Sequence, residues 1–174
     1  MNKNLWLLIS SQVFAFTAAP VTVFLSGIIG SQFSPIKSLA TLPMALSIVG
    51  IAIFAIFAAK IMSIIGRRAG FILASVVSSL SSLLAAYSII NESFILFNCS
   101  CFLLGAGVAF SHQYRFAAVE TVKKDMAPKA ISIILLAGIG SAFIGPNVAN
   151  ISKDIISEHL YAGSYIALAA LTLS

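Results

Sequence analysis

Long apolar blocks, separated by small groups of charged residues, set the pattern of this chain. A helix needs about 20 apolar residues to cross roughly 30 Å of hydrocarbon. Five blocks reach that length, and a sixth, shorter block follows them. The predicted helical segments are residues 5–30, 38–59, 69–90, 94–112, 130–150 and 160–174. The pattern therefore predicts an all-α, polytopic transmembrane bundle, with residues 1–174 as a single domain whose sixth helix is truncated.

Composition agrees with a bilayer environment. Hydrophobic residues make up 60% of the chain and charged residues 9%, and the mean hydropathy is +1.06. So few polar side chains cannot cover a surface that faces water. The net charge of +5 would suit nucleic acid, but the cations stand in small groups between apolar segments and form no continuous basic face. A lipid bilayer is the expected partner, and nucleic acid is not.

The lysines and arginines predict the orientation of the bundle. With the amino terminus in the cytoplasm, eight of the ten fall on the inner side, and only Lys37 and Lys153 fall on the outer side. Positive loops favour the cytoplasm, so this orientation is predicted, in a bacterial inner membrane. The chain begins like a signal peptide, but Pro20 would follow the cleavage site and the apolar run continues to Ile29. A first membrane helix is therefore favoured.

The sequence offers no pattern of catalytic residues. Its two cysteines, Cys99 and Cys101, stand two apart in the fourth segment, and such neighbours point to different sides of a helix. Neither a disulfide nor a metal pair is expected, and small apolar filling is the favoured role. No nucleophile and base pair, metal-ligand cluster or phosphate-binding loop is visible. We expect no enzyme activity, no metal and no cofactor.

A basic loop between the second and third segments carries the clearest motif. In the stretch AKIMSIIGRR, Gly66, Arg67 and Arg68 stand directly before the third segment. The loop resembles one between helices 2 and 3 of major facilitator superfamily transporters, in which glycine, three residues, aspartate and two residues precede Gly-Arg-Arg or Gly-Arg-Lys. Ala59 replaces the first glycine, and Ser63 replaces the aspartate. The resemblance implies a cytoplasmic latch between transporter halves, to which Ser63 cannot supply the aspartate's charge.

The connection after the fourth segment resembles the same family. Arg115 is followed by Glu120 and then by Pro128 and Lys129, in the order found between the family's helices 4 and 5. Arg115 and Glu120 are therefore candidate charge partners on the cytoplasmic side. The basic loop lies on the same side, so an ion pair between the two connections is also available.

Gly145 and Pro146, in the fifth segment, resemble part of the glycine-proline motif of drug/proton antiporters. Proline removes one backbone hydrogen bond, which predicts a bend in the helix. The bend serves either a moving gate or packing alone, and both interpretations stay open. Small residues at helical spacing also predict close helix contacts, at Gly105 in the fourth segment and at Gly138 in the fifth.

No charged residue lies deep in a predicted segment, so no proton site is expected in this part of the protein. Gln12, Thr22 and Asn147 are candidate cavity-lining residues. For Gln12 and Thr22, a hydrogen bond between helices is the alternative. A neutral cavity rich in phenylalanine, including Phe16, would suit an amphipathic or hydrophobic solute.

Taken together, the resemblance implies the amino-terminal six-helix half of a major facilitator transporter. Such a half would carry an unknown small-molecule solute by alternating access, together with a carboxy-terminal six-helix half that is missing here. The alternative is a membrane protein that does not transport, either a degenerate gene remnant or a scaffold for partner helices.

Overall fold

The computed structural model describes residues 3–173, and the side chains of residues 5–173. Eight α-helices and two short 3-10 turns, Lys37–Leu39 and Lys124–Met126, form the described part of the chain, which contains no strand. The helices are α1 Lys3–Phe16, α2 Ala18–Phe33, α3 Leu42–Ile65, α4 Arg67–Ile90, α5 Phe94–Ser111, α6 Tyr114–Glu120, α7 Ala127–Ile151 and α8 Ala162–Leu173. The prediction of an all-α bundle is confirmed.

Five stretches of this bundle are long and apolar enough to cross a membrane. They are Leu5–Phe33, Lys37–Ile65, Arg67–Ile90, Phe94–Glu120 and Lys124–Ile151. The sixth predicted segment corresponds to α8, which is apolar but only 12 residues long.

The connections between the helices form two groups, one at each end of the bundle. We call the group formed by Gly66 and residues 112–126 the basic end, and the group formed by residues 34–41, 91–93 and 152–161 the opposite end.

The first span is broken at Thr17, which the sequence analysis did not predict. Pro20 has no backbone N–H to donate to the Phe16 carbonyl, and its ring crowds that carbonyl. The chain therefore leaves α1 after Phe16 and resumes as α2 at Ala18. The Thr17 hydroxyl donates to the Phe14 carbonyl in the last turn of α1.

A single residue, Gly66, joins α3 to α4. Its φ of 85° lies in the region that only glycine enters without strain. A Cβ atom at this position would meet nothing within 4 Å, so backbone conformation and not space requires the glycine. The predicted segments end at residue 59 and begin again at residue 69, whereas only Gly66 separates the two helices. The glycine turn ends them, and the charged residues Lys60 and Arg67 lie within them.

Helix α5 lies at the centre and packs against both α3 and α4. Gly105 of α5 meets Gly50 of α3 so closely that a Cβ on either residue would collide with backbone of the other helix. The predicted helix contact at Gly105 is therefore confirmed. The one predicted at Gly138 is wrong, because a Cβ there would meet nothing within 4 Å. No neighbouring helix touches α7 at this glycine.

The largest buried cluster joins α2, α4, α5 and α8 near the opposite end. Phe97 of α5 and Tyr165 of α8 meet there edge to face, with 5.9 Å between ring centres. In contrast, α3 and α7 bury little of their apolar surface and expose large side chains such as Ile56 and Phe143. Apolar faces of this size require lipid or another protein as cover. The molecule is an integral membrane protein.

Candidate functional site

Arg67 and Glu120 form an ion pair at the basic end. The Arg67 Nη2 atom lies 2.7 Å from Glu120 Oε1, and Arg67 Nε donates to Oε2 at 3.2 Å. Arg67 is the first residue of α4 and Glu120 the last of α6, so the pair joins helices whose residues are 53 apart in the chain. Two parallel hydrogen bonds make it geometrically specific. Because both side chains are partly exposed, the pair stabilises the fold by only about 0 to 1 kcal/mol.

Arg67 also contacts two residues that the sequence analysis did not identify. Its Nη1 atom donates to the Gln113 Oε1 atom at 3.4 Å and approaches the Met62 sulfur at 3.8 Å. Gln113 lies between α5 and α6, and Met62 lies in the last turn of α3. One guanidinium therefore connects three parts of the basic end. No sequence signal marks Gln113, because a lone glutamine in a loop is ordinarily a solvated residue.

The other predicted residues of the basic end lie outside this network. Ser63 donates its hydroxyl to the Lys60 carbonyl of its own helix at 2.7 Å. Arg68 is exposed and has no hydrogen bond or ion pair among residues 5–173. Arg115 lies with its guanidinium 5.2 Å from the centre of the Phe116 ring and is not paired with Glu120. The structure therefore pairs Glu120 with an arginine of the basic loop.

Gly145 and Pro146 lie within α7, which continues as one helix to Ile151. Gly145 is buried against the break in the first span. A Cβ atom at Gly145 would lie 2.9 Å from the Pro20 ring and 3.3 Å from the Thr17 carbonyl oxygen. The glycine thus permits close contact between two helices that each lack a hydrogen bond at a proline.

A cavity of about 400 Å³ lies between α1, the α5–α6 turn and α7, and we call it the α1–α7 cavity. Its lining residues are Gln12, Phe16, Ser111, His112, Arg115, Ile134, Leu135, Gly138, Ile139 and Ala142. The Phe16 and His112 rings meet edge to face, with 5.3 Å between their centres. The Gln12 side chain is buried, and its Oε1 atom accepts no hydrogen bond from any described residue.

Of the three predicted cavity residues, only Gln12 lines the α1–α7 cavity. Thr22 is buried in α2 and donates to the Ala18 carbonyl at 2.7 Å. Asn147 is exposed on α7 and donates to the Phe143 carbonyl at 2.7 Å. The sequence analysis did not identify His112 or Arg115 as cavity residues, because the fourth predicted segment ends at His112 and Arg115 follows it in the cytoplasmic connection. The α5–α6 turn brings their side chains back towards α1.

Three curated relatives match nearly the whole chain. The riboflavin transporter RfnT of Brucella anthropi is 30% identical over 172 residues, which cover 99% of this chain and 43% of RfnT. The MFS-type transporters YdeG and YddS of Bacillus subtilis, both uncharacterized, are 28% and 26% identical and cover 97% and 95% of the chain. Over nearly its whole length, the chain is similar to named transporters, two of which are of the major facilitator superfamily type.

The chain spans about two fifths of the length of these relatives, from 38% to 43%. Superfamily transporters are built from two six-helix halves, and a match to two fifths of their length is consistent with one such half. The sequence analysis found a resemblance to this family in three places: the basic loop, the connection between α5 and α7, and α7 itself. The similarity of the whole chain to named transporters agrees with that resemblance. No protein-family model matches the chain. No solved structure matches it either.

Proposed function

We propose that this chain forms the amino-terminal half of a secondary transporter that moves a small solute by alternating access. The observation that carries the proposal is that named transporters match nearly the whole chain with only about two fifths of their own length. The second half would cover the apolar faces of α3 and α7 and complete a central site. The alternative is a membrane scaffold that does not transport, and relatives that are named transporters do not support it. We propose no enzyme activity for the chain.

The basic end faces the cytoplasm in this proposal. Gly66 and the connection between α5 and α7 lie there, with Arg67, Arg68, Lys123 and Lys124 beside them. Cationic connections are retained on the cytoplasmic side of bacterial inner membranes.

Reporter fusions test this orientation. Alkaline phosphatase fused after Ser34, Asn91 or Ser157 is expected to be active, because the enzyme folds only outside the cytoplasm. Fusions after Gly66 or Asp125 are expected to be inactive, and green fluorescent protein fused at the same two sites is expected to fluoresce. Phosphatase activity after Gly66 would contradict the proposed orientation.

The first solute to test is riboflavin, because RfnT is a riboflavin transporter and shares 30% identity with this chain. We propose that the solute contains a flat, partly polar ring system of that kind. The α1–α7 cavity has the apolar and aromatic lining that such a solute requires, and its volume of about 400 Å³ is typical of small-molecule sites.

A split-transporter assay tests transport. The chain is produced in riboflavin-auxotrophic bacteria that lack an importer, either alone or with the remaining carboxy-terminal part of RfnT. We expect growth on low riboflavin and uptake of radiolabelled riboflavin only when both parts are present, since alternating access needs two halves. RfnT split at the corresponding position is the matched control. Saturable uptake by the chain alone would show that no second half is needed, and no uptake beside a working split RfnT would contradict flavin transport.

A further inference from the structure

We propose that the α1–α7 cavity is the binding subsite for one flat heteroaromatic ring of the solute, which donates an N–H group to the Gln12 side chain. This inference rests on the proposed transport function and names the chemical class of solute that this half recognises. Three features of the cavity carry it: an unpartnered amide, a space between an aromatic and an apolar wall, and a cation without an acidic partner.

The amide of Gln12 is the polar group that lacks a partner. Its side chain is 6% exposed, and the Oε1 atom accepts no hydrogen bond among the described residues. A buried oxygen without a donor is unfavourable, and proteins seldom keep one without a reason. A primary amide offers a carbonyl acceptor and an N–H donor side by side, so it matches a ring edge that carries N–H beside C=O. An imide or a lactam has such an edge.

The two walls of the cavity favour a flat ring. Phe16 and His112 form one wall, and their edge-to-face contact leaves aromatic surface for a further ring. On the other wall, Leu135 and Ile139 of α7 stand on either side of Gly138. Because a Cβ at Gly138 would meet nothing within 4 Å, the space beside the α7 backbone is open. A planar ring system can lie there between the aromatic wall and the helix.

Arg115 sets the direction of the rest of the solute. It lines the cavity from α6 and is exposed at the basic end, where it contacts the Phe116 ring and is paired with no carboxylate of the described residues. A guanidinium offers five N–H donors and no acceptor. A substituent that accepts hydrogen bonds, such as a hydroxylated or phosphorylated chain, would therefore point towards Arg115, while the imide edge of the ring lies at Gln12.

Ring binding can be measured on the chain itself, purified and reconstituted in lipid nanodiscs. The probes are lumichrome, a fluorescent tricyclic imide without a side chain, and lumichrome methylated at both of its ring N–H nitrogens. We expect lumichrome to bind saturably and the methylated probe to bind about tenfold more weakly, since one hydrogen bond is lost. Gln12→Met keeps the length of the side chain but removes the amide. This variant is expected to bind both probes equally, at the weaker level.

Two further variants complete the design. Phe16→Leu removes aromatic wall and is expected to weaken both probes to the same extent. Asn147→Ala, an exposed amide on α7 outside the cavity, is the matched control and is expected to change neither affinity more than twofold. Circular dichroism and thermal unfolding establish that each variant keeps its helices.

The outcomes separate this inference from the proposed function. Equal affinity of the two probes for the unaltered chain, or no lumichrome binding at all, overturns the subsite, even if the split transporter takes up riboflavin. Discrimination that Gln12→Met abolishes supports the subsite, even if no flavin is transported, in which case transport is the proposal that fails.

Discussion

Gly105→Ala is expected to destabilise the bundle, whereas the same substitution at Gly138 is expected to leave it intact or slightly more stable. The added Cβ at Gly105 would collide with the Ser47 carbonyl and lie 2.9 Å from the Ile51 nitrogen. These are backbone atoms that cannot rotate away, so α3 must move off α5. Inserting one carbon into a closely packed interface typically costs about 1–3 kcal/mol, and here it separates the two most closely packed spans.

Gly138 provides a control with identical chemistry. Its Cβ would enter open space, and alanine favours a helix over glycine by about 0.5–1 kcal/mol. The free energy of unfolding, from reversible titration of detergent-solubilised protein with SDS, should therefore fall for Gly105→Ala and stay level or rise for Gly138→Ala. Equal changes in the free energy of unfolding at both positions would show that α3 and α5 are packed less closely than in the structure.

These two glycines also show how far the sequence predicts the packing. Both stand four residues before an alanine in an apolar segment, and that spacing predicts a close helix contact in both cases. The contact forms only where another helix lies on the same face. Gly105 faces α3, but Gly138 faces a cavity, and the sequence of one helix carries no information about which neighbour lies opposite.

The approximate positions of the long apolar helical stretches were predictable for a stronger reason. In hydrocarbon every backbone N–H and C=O must be bonded within the protein, so an apolar run of sufficient length has to be helical. Breaks in these helices follow a weaker rule. Pro20 interrupts the first span, whereas α7 continues through Pro146. Membrane helices tolerate proline when neighbours accommodate the freed carbonyl, so the outcome depends on tertiary contacts.

The basic end was predictable in its composition but not in its pairing. Arg67, Arg68, Arg115 and Glu120 all belong to connections on one side, so the sequence permits three ion pairs with the glutamate. The structure forms one of them, because α4 begins at Arg67 and directs that side chain towards the end of α6. The three arginines lie 5 to 53 residues from Glu120 in the chain. The positions of the helices decide which of them reaches the glutamate, and the local sequence pattern does not give those positions.

Reversing either charge of the Arg67–Glu120 pair is expected to open the basic end of a transporter assembled from this chain and the carboxy-terminal part of RfnT. Arg67→Glu sets two carboxylates side by side, and Glu120→Arg sets two guanidinium groups side by side. An exposed pair contributes about 0 to 1 kcal/mol, which is too little to unfold the bundle. Two states of a transporter differ by only a few kcal/mol, so the same energy can change their ratio up to about fivefold.

The measurement is the rate at which a membrane-impermeant maleimide labels a single cysteine at position 138 in inside-out vesicles, with Cys99 and Cys101 replaced by serine. Gly138 lines the α1–α7 cavity, so its labelling reports access to that cavity from the basic end. We expect each single reversal to raise the rate severalfold at low salt. The rise should shrink at 1 M salt, where screening acts over about 3 Å.

The charge-swapped double variant, Arg67→Glu with Glu120→Arg, decides whether the pair itself is responsible. It restores opposite charges and is expected to return the labelling rate most of the way towards that of the unaltered transporter, although the bond from Arg67 to Gln113 is lost. Arg68→Glu is the matched control, because Arg68 is adjacent, exposed and unpaired among the described residues. If Arg68→Glu raises the rate as much as Arg67→Glu, or if the swap restores nothing, net charge and not the ion pair controls the basic end. Recovery in the swapped variant alone, with Arg68→Glu silent, would identify the pair as a switch that stabilises one state of the transporter.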